Sequence, residues 1–120
     1  MRTFIASLCA FALLLLLIAW NARFVNAAMD ELEHGIRSLP SCESANTQLE
    51  HIDTQWQKRR KVISLSVSYN ELREMDVCLT QMRAAVKEQD ALQFETARLM
   101  ALDTIMDIRR LERITLINIL

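Results

Sequence analysis

The feature that most constrains this chain is an uninterrupted apolar segment near its N-terminus, Phe4–Trp20. Its seventeen residues carry no charge, and Leu13–Ile18 is apolar on every side of a helix, as hydrocarbon surroundings require. At about 1.5 Å per residue the segment spans about 25 Å, and extension through Val25 covers a bilayer core of about 30 Å. We therefore predict a transmembrane helix within residues 1–27, with Trp20 at the lipid–water interface.

The same segment has a second interpretation, as a cleavable secretion signal. Val25-Asn26-Ala27 offers the small residues that a signal peptidase recognises. Against cleavage, the apolar run exceeds the usual signal core of about 7–15 residues, and Arg23 lies where the peptidase would approach. Arg2 and the N-terminal amine favour an N-in, C-out orientation. We expect a retained single-pass anchor in the cell membrane with an extracytoplasmic C-terminal domain; cleavage would give a secreted helical protein instead.

Composition narrows the fold and the class of partner. One glycine and one proline among 120 residues exclude turn-rich β architectures and glycine-rich phosphate loops. Arg2 and Arg23 belong to the anchor, so twelve of the fourteen basic residues and all fifteen acidic residues lie beyond it. The resulting net charge of −3 argues against nucleic acid as a partner.

The rest of the chain has the periodicity of helices separated by breaks. Residues 28–43 predict a short stalk helix and a link, with the helix ending near Pro40, because a residue before proline is displaced from the helical region. Residues 44–120 predict three helices of roughly 22, 20 and 28 residues with short connections. The predicted fold is all-α: an N-terminal transmembrane helix and a short stalk helix, then an antiparallel three-helix bundle.

Phase changes and cap sequences locate these breaks near residues 65–68 and at Glu88–Asp90. Ser44 or Thr47 can cap the first bundle helix, and Ser68–Glu71 matches a capping box at the start of the second. Asp90 has the same relation to a glutamine three residues later. Residue counting from these turns places Trp56 level with the middle of its neighbours. The apolar stripes predict a core that includes Trp56, Tyr69, Leu72, Leu79, Leu99 and Leu102.

Few residues form a pattern that indicates chemistry. Asp30 and His34 share a helix face, but metal binding needs three or four converging ligands and His51 lies on another segment. No nucleophile–base pattern or oxyanion loop accompanies the serines, so we expect no catalytic residues, no metal and no cofactor. Residue counting separates Cys42 from Cys78 by roughly 22 Å, whereas a disulfide needs Cα atoms within about 7 Å, so we expect free thiols.

Two segments each have two interpretations. Lys58–Lys61 is either a solvated helix face or a contact for anionic lipid headgroups or wall polymers. The C-terminal overhang either folds over the preceding turn and covers Val62, Leu65 and Val67, or forms an exposed interface for self-association or docking. The residues of this possible interface are Ile114, Leu116, Ile117, Ile119 and Leu120.

The stretch WQKRRKVISLSVSYNELREMDVCLTQM, which begins at Trp56, and the terminal ERITLINIL resemble the family called domain of unknown function 4363. This family groups short bacterial membrane proteins that share an apolar N-terminal segment, a tryptophan before a basic stretch, and a long last helix ending in an Asn-Ile pair, here Asn118-Ile119. At the start of the third helix, where the family has histidine, this chain has Tyr69, which argues against a shared histidine site. The resemblance implies architecture and membrane location, and no activity.

These observations favour a protein that acts by binding rather than by catalysis. We expect a membrane-anchored helical bundle of the bacterial cell envelope, in contact with membrane lipid, that binds another envelope protein or a second copy of itself. The alternative is a sensory or ligand-binding bundle whose stalk relays a signal. That alternative is less favoured because almost no chain precedes the apolar segment to receive the signal.

Overall fold

The computed structural model describes residues 1–119, apart from the side chains of Thr115, Leu116 and Ile119. Within this range the chain is all-α, as predicted, with four α-helices, a short 3-10 turn and no strand. These elements are α1 (Arg2–Arg37), the 3-10 turn (Cys42–Ser44), α2 (Asn46–Ile63), α3 (Tyr69–Glu88) and α4 (Ala91–Ile119).

Helix α1 consists of two halves with different surroundings. Its N-terminal half contains an eighteen-residue window of mean hydropathy 2.5 in which no residue is buried, and it is long and apolar enough to cross a membrane. Its C-terminal half buries a stripe at helical spacing, formed by Ala22, Val25, Ala28, Met29, Leu32 and Ile36. The predicted division at residue 27 therefore falls inside one continuous helix.

The structure corrects the expected three-helix bundle. Residues 22–36 of α1 share one core with α2, α3 and α4, so four helical segments form the bundle and no separate stalk exists within the described residues. The sequence contains no helix breaker between the apolar segment and Pro40 except Gly35, which a helix tolerates at a cost of about 1 kcal/mol. Gly35 also allows close packing, because a Cβ atom there would lie 3.2 Å from Ile52 Cγ1.

The core matches the predicted residues in part. Trp56, Leu72 and Leu79 are buried, and Leu102 is partly buried against the core. Tyr69 and Leu99 are not core residues, since they are 68% and 63% exposed. Tyr69 is the first residue of α3 and its neighbours leave it uncovered. Leu99 lies opposite the buried face of α4, which consists of Phe94, Ala97, Ala101, Ile105 and Ile108.

The helix ends agree with the predicted breaks, although the caps differ. Asp90 Oδ1 accepts a hydrogen bond of 3.1 Å from the Gln93 backbone N–H, as predicted. The preceding residue, Gln89, adopts a left-handed conformation with φ 56° that ends α3. Ser68 does precede α3, but its side chain makes no cap hydrogen bond. Helix α2 begins after Ala45, which is buried in the core and has no capping side chain.

The link between α1 and α2 packs across the end of the bundle that lies farthest from the apolar half of α1. Arg98 of α4 donates hydrogen bonds to the carbonyl oxygens of Leu39, at 3.1 Å, and Pro40, at 2.9 Å. Cys42 Sγ donates to the Ala85 carbonyl oxygen at 3.4 Å. Since Ala85 is seven residues from Cys78 on α3, the two buried free thiols are separated by about 10 Å along the helix, not the 22 Å predicted by residue counting.

Candidate functional site

Charged residues join the bundle to the helix that carries the apolar segment. Arg109 of α4 forms ion pairs with two carboxylates of α1, Asp30 and Glu33, and the distance from its Nη1 to Glu33 Oε2 is 2.6 Å. The pKa of Glu33 is lowered chiefly by the hydrogen bond from Arg109 and next by that from Arg37. Arg59 of α2 pairs with Glu31, also on α1. Two helices are thus fixed to α1 by charge as well as by apolar packing.

A second polar cluster surrounds the buried Trp56. Its indole N–H donates to Asp76 Oδ1 of α3 at 2.7 Å, and Arg60 donates to Oδ2 of the same carboxylate at 2.9 Å. Asp76 therefore satisfies the polar atom of the largest core side chain and links α2 to α3. This cluster is structural, because Trp56 is only 2% exposed.

The groove between α1 and α2 contains both histidines of the chain. It has a volume of about 460 Å³, an apolar floor of Leu32, Ile52 and Trp56, and His34 and His51 among its polar lining residues. The two histidines lie on different segments of the sequence, and the structure brings them to one groove. Among the described residues, no group of three or more histidine, cysteine or acidic side chains has the geometry to hold a metal ion.

A second groove, of about 710 Å³, lies between α3 and α4, and its charged lining residues are four carboxylates and one arginine. Burial, followed by repulsion from Glu74 and Asp107, raises the pKa of Glu71, whose Oε2 is buried without a hydrogen-bond partner. Burial also raises the pKa of the Cys78 thiol, although a hydrogen bond with Thr104 opposes this effect. The groove thus contains one carboxyl group that is costly to ionise in the folded protein.

The outward face of α4 carries apolar side chains with no cover. Leu92, Leu99 and Met106 are spaced by seven residues and are 79%, 63% and 53% exposed. Seven residues are nearly two helical turns, so these side chains lie in one row on the side opposite the core. We call this row the α4 stripe. The prediction that Leu99 belongs to the core is wrong because α4 is apolar over a broad face, and periodicity alone does not say which part of that face is buried.

The C-terminal overhang continues α4 as a helix to Ile119, and Glu112 within it accepts a hydrogen bond of 3.0 Å from Ser66 Oγ of the α2–α3 turn. Leu65 in that turn is 81% exposed, although Val67 is buried and Val62 partly buried. Of the predicted interface residues, Ile114 and Ile117 are 47% and 69% exposed. The remaining three, Leu116, Ile119 and Leu120, lie outside the residues whose side chains are described.

The basic run divides between paired and exposed residues. Arg59 and Arg60 make the interhelical ion pairs with Glu31 and Asp76, so they have structural partners. Lys58 and Lys61 are exposed at the C-terminal end of α2. Half of the run therefore stabilises the bundle, and the other half remains open to solvent or to an anionic surface.

The ion pairs of Arg109 and the two grooves were not predicted from the sequence. Arg109 is 76 residues from Glu33 in the chain, and no spacing rule connects residues so far apart. The apolar stripe of α1 beyond residue 27 was a usable signal, since an amphipathic segment predicts packing against a core.

Comparison with known proteins gives one match, and its residue range agrees with the four helical segments that share the core. No curated protein and no solved structure matches the chain significantly. A family model described as domain of unknown function (DUF4363) matches residues 20–119, which include the buried half of α1 and all of α2, α3 and α4. The chain therefore belongs to the DUF4363 family.

Proposed function

We propose that this protein is a membrane-anchored helical bundle that binds another envelope protein, or a second copy of itself, through the α4 stripe. The observation that carries this proposal is the row formed by Leu92, Leu99 and Met106, which is exposed on a bundle fixed to α1. Large apolar side chains exposed in a row on one face of a folded domain can mark an interaction surface. In this proposal the apolar half of α1 spans the cell membrane and the bundle lies outside the cytoplasm.

The continuity of α1 supports retention of the anchor. Cleavage after Ala27 would separate Val25, which is fully buried, from Ala28 and the rest of the same buried stripe. The loss of a buried valine and of the packing of Ala22 would expose apolar surface on the neighbouring helices. A retained α1 keeps its own buried stripe intact and connects the apolar segment to the bundle through one continuous helix.

Extraction and crosslinking in native membranes test the two parts of the proposal. Carbonate-washed membranes should retain the full-length chain, and a mature N-terminus at Ala28 in the medium would contradict the anchor. A photoreactive amino acid in place of Leu99 should give protein adducts, identified by mass spectrometry. The matched control places it at Gln57, an exposed residue of α2. Equal adducts at both positions would contradict a specific role of the α4 stripe.

A second candidate function, ligand sensing, is favoured by the groove between α1 and α2. The groove volume of about 460 Å³ falls in the range of small-molecule sites, and its apolar floor with a few polar groups is typical of them. A ligand there would contact α1 directly. Thermal shift of the purified full-length protein against a metabolite library tests this candidate, and a His34→Trp substitution, at an exposed position that lines the groove, should narrow it and abolish any shift.

A further inference from the structure

The end of the bundle nearest the apolar half of α1 carries exposed apolar side chains that do not belong to the α4 stripe. The ion pairs of Arg109 place it beside residues 30–33 of α1. Since α4 runs antiparallel to α1, Ile117 lies eight residues or about 12 Å farther toward the apolar half. Ile117 is thus level with about residue 23, only about 5 Å along the axis from Trp20, where the apolar segment ends.

The side chain of Ile117 faces away from the bundle at this level. It follows the fully buried Ile108 by nine residues, which is two and a half helical turns, so the two side chains lie on opposite faces of α4. Ile114 is also exposed, at 47%. Arg110 and Arg113 separate these isoleucines from the α4 stripe.

The turn between α2 and α3 lies at the same end. Ser66 Oγ donates to Glu112 Oε1 at 3.0 Å, which fixes the turn against the last part of α4. The adjacent Leu65 is 81% exposed, and Tyr69 is 68% exposed. The end of the bundle nearest Trp20 therefore exposes four large apolar or aromatic side chains, those of Leu65, Tyr69, Ile114 and Ile117.

Exposed basic residues occur at the same end of the bundle as these apolar side chains. Arg23, Lys61 and Arg113 are all exposed, and they come from α1, α2 and α4 respectively. Glu112, the acidic residue nearest to Arg113 in the chain, is buried and accepts the hydrogen bond from Ser66. Exposed apolar and aromatic side chains at the same end as exposed cations are the composition of a surface that lies in the headgroup region of an anionic bilayer.

We propose that this end of the bundle rests in the headgroup region of the bilayer, with Leu65 and Ile117 in contact with lipid and Arg23, Lys61 and Arg113 in contact with lipid phosphates. The inference rests on the proposed anchor, because α1 must enter the membrane for this end to reach it. We favour lipid over a protein partner because this end of the bundle directly adjoins the apolar segment. A bilayer that covers residues up to Trp20 also reaches the level of Ile117.

Photocrosslinking in proteoliposomes tests this proposal with the full-length chain. The purified protein is reconstituted in phosphatidylcholine containing phosphatidylglycerol, with p-benzoylphenylalanine in place of Leu65 or Ile117. The matched negative control is Leu92, which is 79% exposed but lies at the opposite end of the bundle. The positive control is Leu16, which is 67% exposed within the apolar segment. Circular dichroism of each labelled protein verifies that it remains helical.

We expect lipid adducts when the photoreactive residue replaces Leu65, Ile117 or Leu16, and no lipid adducts when it replaces Leu92. Lipid adducts at Leu16 without any at Leu65 and Ile117 would overturn the inference while leaving the anchor in place. Crosslinked dimers at Leu65 and Ile117 would also overturn it, because a second copy would then occupy the surface. The absence of lipid adducts at Leu16 as well would overturn both the anchor and the inference.

Discussion

Arg109 Nη1 lies 2.6 Å from Glu33 Oε2, so the last helix of the bundle is fixed to the helix that carries the apolar segment. Asp30 pairs with the same guanidinium, so the single side chain of Arg109 contacts two carboxylates of α1. The arginine side chain is 23% exposed and that of Glu33 is 24% exposed, so water screens this contact only in part. It fixes the level at which α4 meets α1.

Replacement of Arg109 by alanine should therefore destabilise the packing of α4 on α1. We expect a loss of about 0.5–1 kcal/mol in the free energy of unfolding at pH 7, since partly exposed ion pairs contribute about this much. Denaturation of the detergent-solubilised protein measures it. The matched control is Arg110→Ala, because Arg110 is 67% exposed and its nearest carboxylate oxygen, on Asp107, is 3.9 Å away. Equal losses in the two variants would contradict the assignment.

The pH dependence of the same contact follows from Glu33. Because the pKa of Glu33 is lowered in the folded protein, its ionised form stabilises the fold at pH values above the unfolded value of 4.5. This contribution is lost as the pH falls through the folded pKa. The difference in stability between the natural chain and Arg109→Ala should accordingly shrink below pH 4.5, and a difference that stays constant in acid would contradict this linkage.

Trp56 should be the most sensitive single position of the bundle. Trp56→Ala removes a buried indole and should cost about 3–5 kcal/mol, which approaches the whole stability of a small domain. Trp56→Phe keeps an aromatic ring but loses the hydrogen bond to Asp76, and should cost less than Trp56→Ala. Trp20→Ala is the control, since Trp20 is 64% exposed. Thermal melting measures all three, and unchanged melting of Trp56→Ala would contradict its role in the core.

Glu71→Gln should stabilise the protein in a pH-dependent way. The pKa of Glu71 is raised above 4.5 in the folded state, so its ionisation opposes folding. Well below 4.5 both states are protonated and the substitution gains nothing; the gain should grow as the pH rises from the unfolded value of 4.5 towards the folded pKa, and then persist at pH 7. Denaturation at several pH values measures this gain. Glu50→Gln, on the exposed face of α2, is the control, and a similar gain there would contradict the effect of burial.

The cysteines should remain reduced and react slowly in the folded protein. Cys42 and Cys78 are buried, and burial raises the pKa of the Cys78 thiol, which lowers the fraction of reactive thiolate. Both should alkylate fully under denaturing, non-reducing conditions, as mass spectrometry can verify. Val77→Cys, at a position 43% exposed, should react much faster than Cys78 in the native state. Detection of a Cys42–Cys78 bridge would contradict the helix arrangement.

The sequence predicted the positions of the helices better than it predicted which helix faces pack against each other. The apolar segment, the breaks near residues 65–68 and 88–90, and the cap at Asp90 follow from local rules that involve residues within one or two turns. Trp56, Leu72 and Leu79 are buried because their stripes each have one narrow apolar face. Leu99 differs because α4 is apolar over a broad face, and local periodicity does not reveal which side meets the other helices.

The amino-acid sequence by itself determined that this chain is helical, where the breaks beyond Pro40 lie, and that the first half of α1 is suited to hydrocarbon. Only the tertiary structure decided that α1 continues into the core, that both histidines share a groove, and that Arg109 meets Glu33. These outcomes depend on contacts between residues far apart in the chain, whose energies reflect the simultaneous packing of four helical segments. Helix periodicity constrains each segment alone, whereas the choice of neighbour depends on which faces bury the most apolar surface together.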